Sequence, residues 1–148
     1  MAINQAYCSS FKRQLLEAVH DFRTALEGGD TFKIALYTEA AVLNASTLAY
    51  TTDGEVVGSG YVAGGAILSQ VSPVVYNQSG ILTFSTISWL SSTISARAAL
   101  IYNLTPTHTY SNPACVVLDF GMVRSSAGNT FSINFPAATD QTAIIRIF

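Results

Sequence analysis

The chain has 148 residues, a net charge of −2, a sequence pI near 5.5 and a mean hydropathy of +0.36. Only 11% of its residues are charged, against roughly 25% in an average soluble domain. That length supports one domain, residues 1–148, around a single core. The scattered charge excludes the basic patch that nucleic-acid binding requires.

Ser and Thr make up about a fifth of the residues, a composition that suits solvent-facing β positions. A surface so poor in charge lacks the usual defence against association, so much of it is expected to meet a partner. Eleven of the sixteen charged residues precede Val56. The opening stretch, Met1 to Val19, has no apolar run behind a positive charge, and no segment is long enough to span a bilayer, so neither a secretory leader nor a membrane anchor is expected. Cys8 and Cys115 are too few and too far apart for a disulfide framework or a metal knuckle, and are read as reduced packing residues. Three matches to the glycosylation sequon, at Asn44, Asn77 and Asn103, are what chance supplies in a Ser/Thr-rich chain.

In chain order, Phe11, Leu15, Val19, Phe22 and Leu26 recur at steps of three and four, the period of one helix face. The spacing predicts an N-terminal helix over about 10–26, capped by Ser9 or Ser10 and ended by Gly28-Gly29. The period then changes to two: Phe32, Ile34 and Leu36 alternate with Lys33, Ala35 and Tyr37, which predicts a strand. Residues 38–52 read as a long loop. Further strand-like runs follow at 55–61, 66–71, 74–76, 81–90, 94–102, 114–123, 131–135 and 143–148. Turn chemistry separates them at Asp53-Gly54, 77–80, Asn112-Pro113, Gly128-Asn129 and Pro136. The expected fold is mainly β: an antiparallel, jelly-roll-like β-sandwich of about eight strands with one N-terminal helix. In Ile144-Ile145-Arg146-Ile147-Phe148 apolar residues occupy both faces. That strand is therefore expected either to be central or to present its outer face to another subunit.

The glycine-rich stretch Gly58 to Gly65, GSGYVAGG, satisfies the loose dinucleotide fingerprint G-x-G-x-x-G/A at Gly58, Gly60 and Ala63. That chemistry needs a helix immediately afterwards to present its N-terminal amides. The segment that follows, Ala66 to Pro73, is short, β-branched at Ile67 and Val71, and closed by proline. It reads as a strand, so the glycines are bulge and turn positions at a sheet edge, with Tyr61 the residue there that packs.

His20-Asp21 resembles half of an acid/base pair, but adjacent helical residues point about 100° apart, and a solvated helix edge is the expectation. His108 sits in a loop composition, and two scattered histidines make neither a triad nor a metal site. Asp119, inside an apolar strand, is expected to pair across strands with Arg97 or Arg124. Trp89 and the seven tyrosines would form a sugar-stacking platform only if exposed. No catalytic, cofactor or metal group is expected, and the chain is not read as an enzyme.

The pieces Ser10-Phe11-Lys12, His20-Asp21-Phe22, Asp30 to Tyr37, Glu55 to Gly65, Ala96 to Asn103, Val117 to Gly121 and Ala143 to Ile147 together resemble a family of small virion-associated proteins of tailed bacteriophages, across nearly the whole chain. The resemblance implies a structural protein of the particle, assembled in the host cytoplasm and located on the virion. Analogy with small β-sandwich cement proteins extends this to a homo-oligomeric capsid decoration protein bound to the major capsid protein. A neck, tail or fibre-base component of the same particle is the alternative, and a displayed carbohydrate-binding module a second. Candidate interface residues are Ile144, Ile145, Ile147, Phe148 and Tyr61.

Overall fold

The computed structural model describes residues 3–148. Met1 and Ala2, the start of the stretch read for a leader, lie outside the described residues. Eight strands and one α-helix are present among the described residues: β1 (Ala6–Tyr7), α1 (Ser9–Leu16), β2 (Phe32–Tyr37), β3 (Ala66–Ile67), β4 (Val74–Tyr76), β5 (Ser79–Leu82), β6 (Ile87–Asn103), β7 (Ala114–Ile133) and β8 (Ile145–Ile147). They form two antiparallel sheets, of order β1-β7-β6-β2-β3 and β4-β5-β8. The mainly-β, sandwich-like class expected from the periodicity is therefore observed. One hydrophobic cluster draws on both sheets, with Ile34, Leu100 and Val117 from the larger and Leu82 and Ile145 from the smaller.

The helix is half the predicted length. Instead of running to Leu26, α1 stops at Leu16 in a Schellman motif: the Val19 amide donates to Gln14 O, the Ala18 amide to Leu15 O, and Ala18 takes the left-handed conformation at φ 54°. That position is usually glycine, and with alanine there the stop has no signature. The turn carries Val19 into the core and leaves Leu26 exposed. A 3-10 turn at Ala25–Glu27, ended by Gly28 at φ 83°, follows. Neither Ser9 nor Ser10 caps α1; Cys8 occupies the N-cap without a side-chain hydrogen bond.

The two longest strands absorb three predicted ones. β6 and β7 pair along most of their length, and the break expected at Gly128-Asn129 is a bulge instead, with Gly128 at φ 70° skipped between the Ser92–Asn129 and Thr93–Ala127 pairs. A left-handed glycine kinks a strand without ending it. The predicted 81–90 run is divided between sheets, β5 in the smaller and β6 in the larger. The 55–61 run forms no strand; its strand-type pairing is confined to the isolated bridges Tyr37–Glu55 and Ser59–Thr93. The 66–71 run shrinks to the two residues of β3. The turn at Asn77-Gln78 is as expected, with φ of 46° and 68° joining β4 to β5, the two positive values of a type I′ hairpin. Residues 38–52 are a loop, and β2 follows the predicted register, except that Ala35 and Tyr37 are buried as well as Phe32, Ile34 and Leu36.

Candidate interaction surface

Ala35 and Tyr37 are buried because residues 55–65 wrap over them. Gly58 and Gly65 permit the approach: a Cβ on Gly65 would lie 1.8 Å from Ile34 O, and one on Gly58 2.3 Å from Thr93 O. The wrap closes around one carboxylate. Glu55 Oε1 accepts from the Tyr61 hydroxyl (2.7 Å) and the Gly64 amide (2.7 Å), and Oε2 accepts from the Tyr50 hydroxyl (2.6 Å). Tyr61 in turn accepts from the Leu36 amide (2.9 Å), and the Tyr102 hydroxyl donates to Gly64 O (2.7 Å). Burial, reinforced by the Glu55 charge, pushes the Tyr102 phenol up to about 12 and those of Tyr37, Tyr50 and Tyr61 higher still. All four therefore remain protonated donors. The glycine-rich stretch is a clasp for a buried acid, not a ligand loop, and Tyr61 is removed from the interface candidates because it is spent inside this network.

His20 also departs from its expected solvated edge. Its ring is half-buried against Phe11, Phe22 and Phe32. Asn103 has its amide orientation set by accepting from the Thr105 amide (2.9 Å) and donating to Asp30 Oδ2 (2.7 Å). Its Nδ2 must then donate to His20 Nδ1 (3.1 Å), leaving Nε2–H to donate to Gln14 Oε1 (2.9 Å). Both ring nitrogens are used, and desolvation, partly countered by the Asp30 charge, lowers the imidazole to about 4. This ring ties the end of α1 to the end of β6. Asp21 turns away to Arg23, 2.5 Å distant, and His108 contacts Glu17 O from an exposed loop. Among the described residues no group of three or more His, Cys, Asp or Glu is placed to hold a metal ion. Asp119 pairs with Arg97, one of its two expected partners. Trp89 is buried between Tyr61 and Phe131, so it supplies no sugar-stacking platform.

The remaining candidates lie on the smaller sheet. β8 is an edge strand, paired only with β5, so the central position considered for it does not occur. Its outer edge is blocked: the Tyr7 hydroxyl donates to Ile144 O (2.9 Å) and accepts from the Arg146 amide (3.2 Å). One phenol thus occupies two of the backbone groups that a further strand would use. The side chains divide. Ile145 faces the core and is 5% exposed, Ile144 is half-buried, Ile147 is 58% exposed and Phe148 86%. The Arg146 guanidinium lies 5.8 Å from the centre of the Phe148 ring.

Ile147 belongs to a wider apolar surface. A groove of ≈ 330 Å³ between α1 and β8 is floored by Phe11, Leu15 and Ile145 and bordered by Leu16, Lys12 and Arg146. A second, of ≈ 430 Å³, continues from Leu15 and Ile147 to Phe22, Val74 and Val75. Leu16 is 91% exposed and Val75 80%. Leu16, Val74 and Val75 were not among the sequence candidates. Leu16 adjoins the apolar helix stripe at Leu15 and so carries no separate signal, and Val74-Val75 looks like any other strand run until its place on an edge is known.

No family model, no curated protein and no solved structure matches the chain.

Proposed function

We propose that this is a structural virion protein of a tailed bacteriophage, most concretely a capsid decoration protein that binds the outer head surface and stabilises the shell. The observation that carries the reading is the apolar surface shared by α1, β4 and β8: large exposed side chains form neighbouring grooves. Contiguous exposed apolar area of that kind marks an association surface. The blocked edge of β8 directs docking to side chains rather than to strand addition. The resemblance of Glu55 to Gly65, Ala96 to Asn103 and the other quoted pieces supplies the particle, and the shortage of charge suits a subunit that meets the major capsid protein and further copies of itself. No cofactor enters this reading and no reaction is assigned. A cement protein acts by bridging neighbouring capsomers, so that individually weak contacts add across many symmetry-related sites.

The test is reconstruction of purified virions by electron cryo-microscopy, with the chain fitted into density. The decoration reading expects on the order of hundreds of copies on the icosahedral surface, whereas roughly six or twelve at one vertex would replace it with the neck or tail reading.

A further inference from the structure

We infer that Cys8 and Cys115 are a latent cross-strand disulfide that fastens the N-terminal segment to β7. The pairing of β1 with β7 runs Ala6–Val117 and Tyr7–Val116, and one step further places Cys8 opposite Cys115. The Cys8 amide donates to Cys115 O at 2.9 Å, so the register continues to that pair. Residues directly opposite in an antiparallel pair carry their Cβ atoms on one face, about 4.5–5.5 Å apart; a disulfide needs roughly 4.4–6.8 Å between Cα atoms and about 3.5–4.5 Å between Cβ atoms, so the bond closes with an inward shift of about 1 Å as β1 moves. Both thiols are free and fully buried in the same core cluster. Cys115 Sγ also lies 3.9 Å from His20 Nδ1, the nitrogen that carries no proton.

In the closed protein the thiols are protected. Burial raises Cys8 to about 11 and Cys115 well above its ordinary value, and a thiol is a poor nucleophile. β1, however, is a two-residue edge strand, and short edges open locally at little cost. Once it opens, oxidised glutathione or a similar small disulfide completes the reaction. One cysteine thiolate attacks it and releases a glutathione thiolate; the second cysteine then attacks the mixed disulfide and releases another. Two thiol hydrogens leave the protein, and two glutathione molecules carry them away. The chemistry stands whatever the protein's role. On the virion reading, a subunit assembled in a reducing cytoplasm would close this link on release into an oxidising medium, securing α1 and the groove it borders.

The experiment uses the full chain, incubated with oxidised glutathione in sub-denaturing urea and analysed by intact mass and peptide mapping. The expected product is a monomer about 2 Da lighter than the reduced protein, with the Cys8 peptide linked to the Cys115 peptide. Because the link closes roughly a hundred residues of chain, Tm should rise by about 5–15 °C and fall back on addition of dithiothreitol. Cys8→Ala should remove that rise and leave one glutathione on Cys115. Thiols that stay free, one glutathione on each cysteine of the unsubstituted chain, or disulfide-linked dimers would each overturn the inference, without bearing on whether the protein belongs to a virion.

Discussion

The clasp over β2 and the surface around β8 contain similar residue types and use them in opposite ways. At Glu55 every polar atom is spent inward: two tyrosine hydroxyls and a glycine amide converge on one carboxylate. Around β8 the Tyr7 hydroxyl holds Ile144 O and the Arg146 amide, the Arg146 guanidinium donates to Gln141 O, and large apolar side chains are left facing solvent. Substitutions in the first region should therefore cost stability, and substitutions in the second should cost association. Single exposed apolar side chains occur elsewhere too, Val57 and Val62 of the clasp among them; what distinguishes the β8 region is that they gather around grooves, beside a strand edge partly protected against indiscriminate pairing.

The largest effect should come from Gly65→Ala. The new methyl would lie 1.8 Å from Ile34 O, on a residue at φ 72°, so the clasp must lift from β2. A loss of about 4 kcal/mol or more is expected in urea denaturation, enough to leave much of the protein unfolded. Tyr61→Phe is gentler: it deletes a donor to Glu55 and the acceptor of the Leu36 amide, with an expected loss of about 2–3 kcal/mol by the same measurement. If Tyr61→Phe were neutral, the contrast between the regions would break at the clasp.

Acid should act through His20. Its folded pKa, about 4, lies below the ordinary 6.5, so the unfolded chain binds the proton more readily. Stability from this group is fully present above pH 6.5 and is lost as the pH falls toward 4. Thermal melts should show Tm falling by roughly 3–6 °C between pH 7 and pH 4.5. His20→Asn should flatten that part of the profile, and an unchanged slope would remove His20 from the account.

Much of this fold was legible beforehand. The period-two alternation from Phe32 to Tyr37 located β2, and the turn residues at 77–80 marked the break between β4 and β5. What failed did so for identifiable reasons. α1 ends on a left-handed alanine, a choice made by the burial of Val19 rather than by a glycine. Gly128 has turn chemistry and a positive φ, yet cross-strand pairing continues through it, so one β7 was read as two strands. At the surface, the exposure of Ile147 and Phe148 agrees with the expectation that apolar residues on both faces of that strand leave one face outward. Tyr61 is enclosed by the clasp and Ile145 reaches only the floor of a groove; neither was legible, because alternation cannot say which face another part of the same chain already covers.

The effect on stability should be smallest at the exposed surface, and there the central claim is tested most directly. Deleting residues 144–148 would be a poor test, because Ile145 is buried and Tyr7 holds Ile144 and Arg146; folding and docking would be lost together. The double substitution Ile147→Ser/Phe148→Ser separates them. Its Tm and its occupancy on purified particles should be measured side by side with the unsubstituted chain. The account expects Tm within about 2 °C, since exposed side chains contribute roughly 0.5 kcal/mol or less, together with at least a tenfold loss of occupancy. Full occupancy at an unchanged Tm would contradict it.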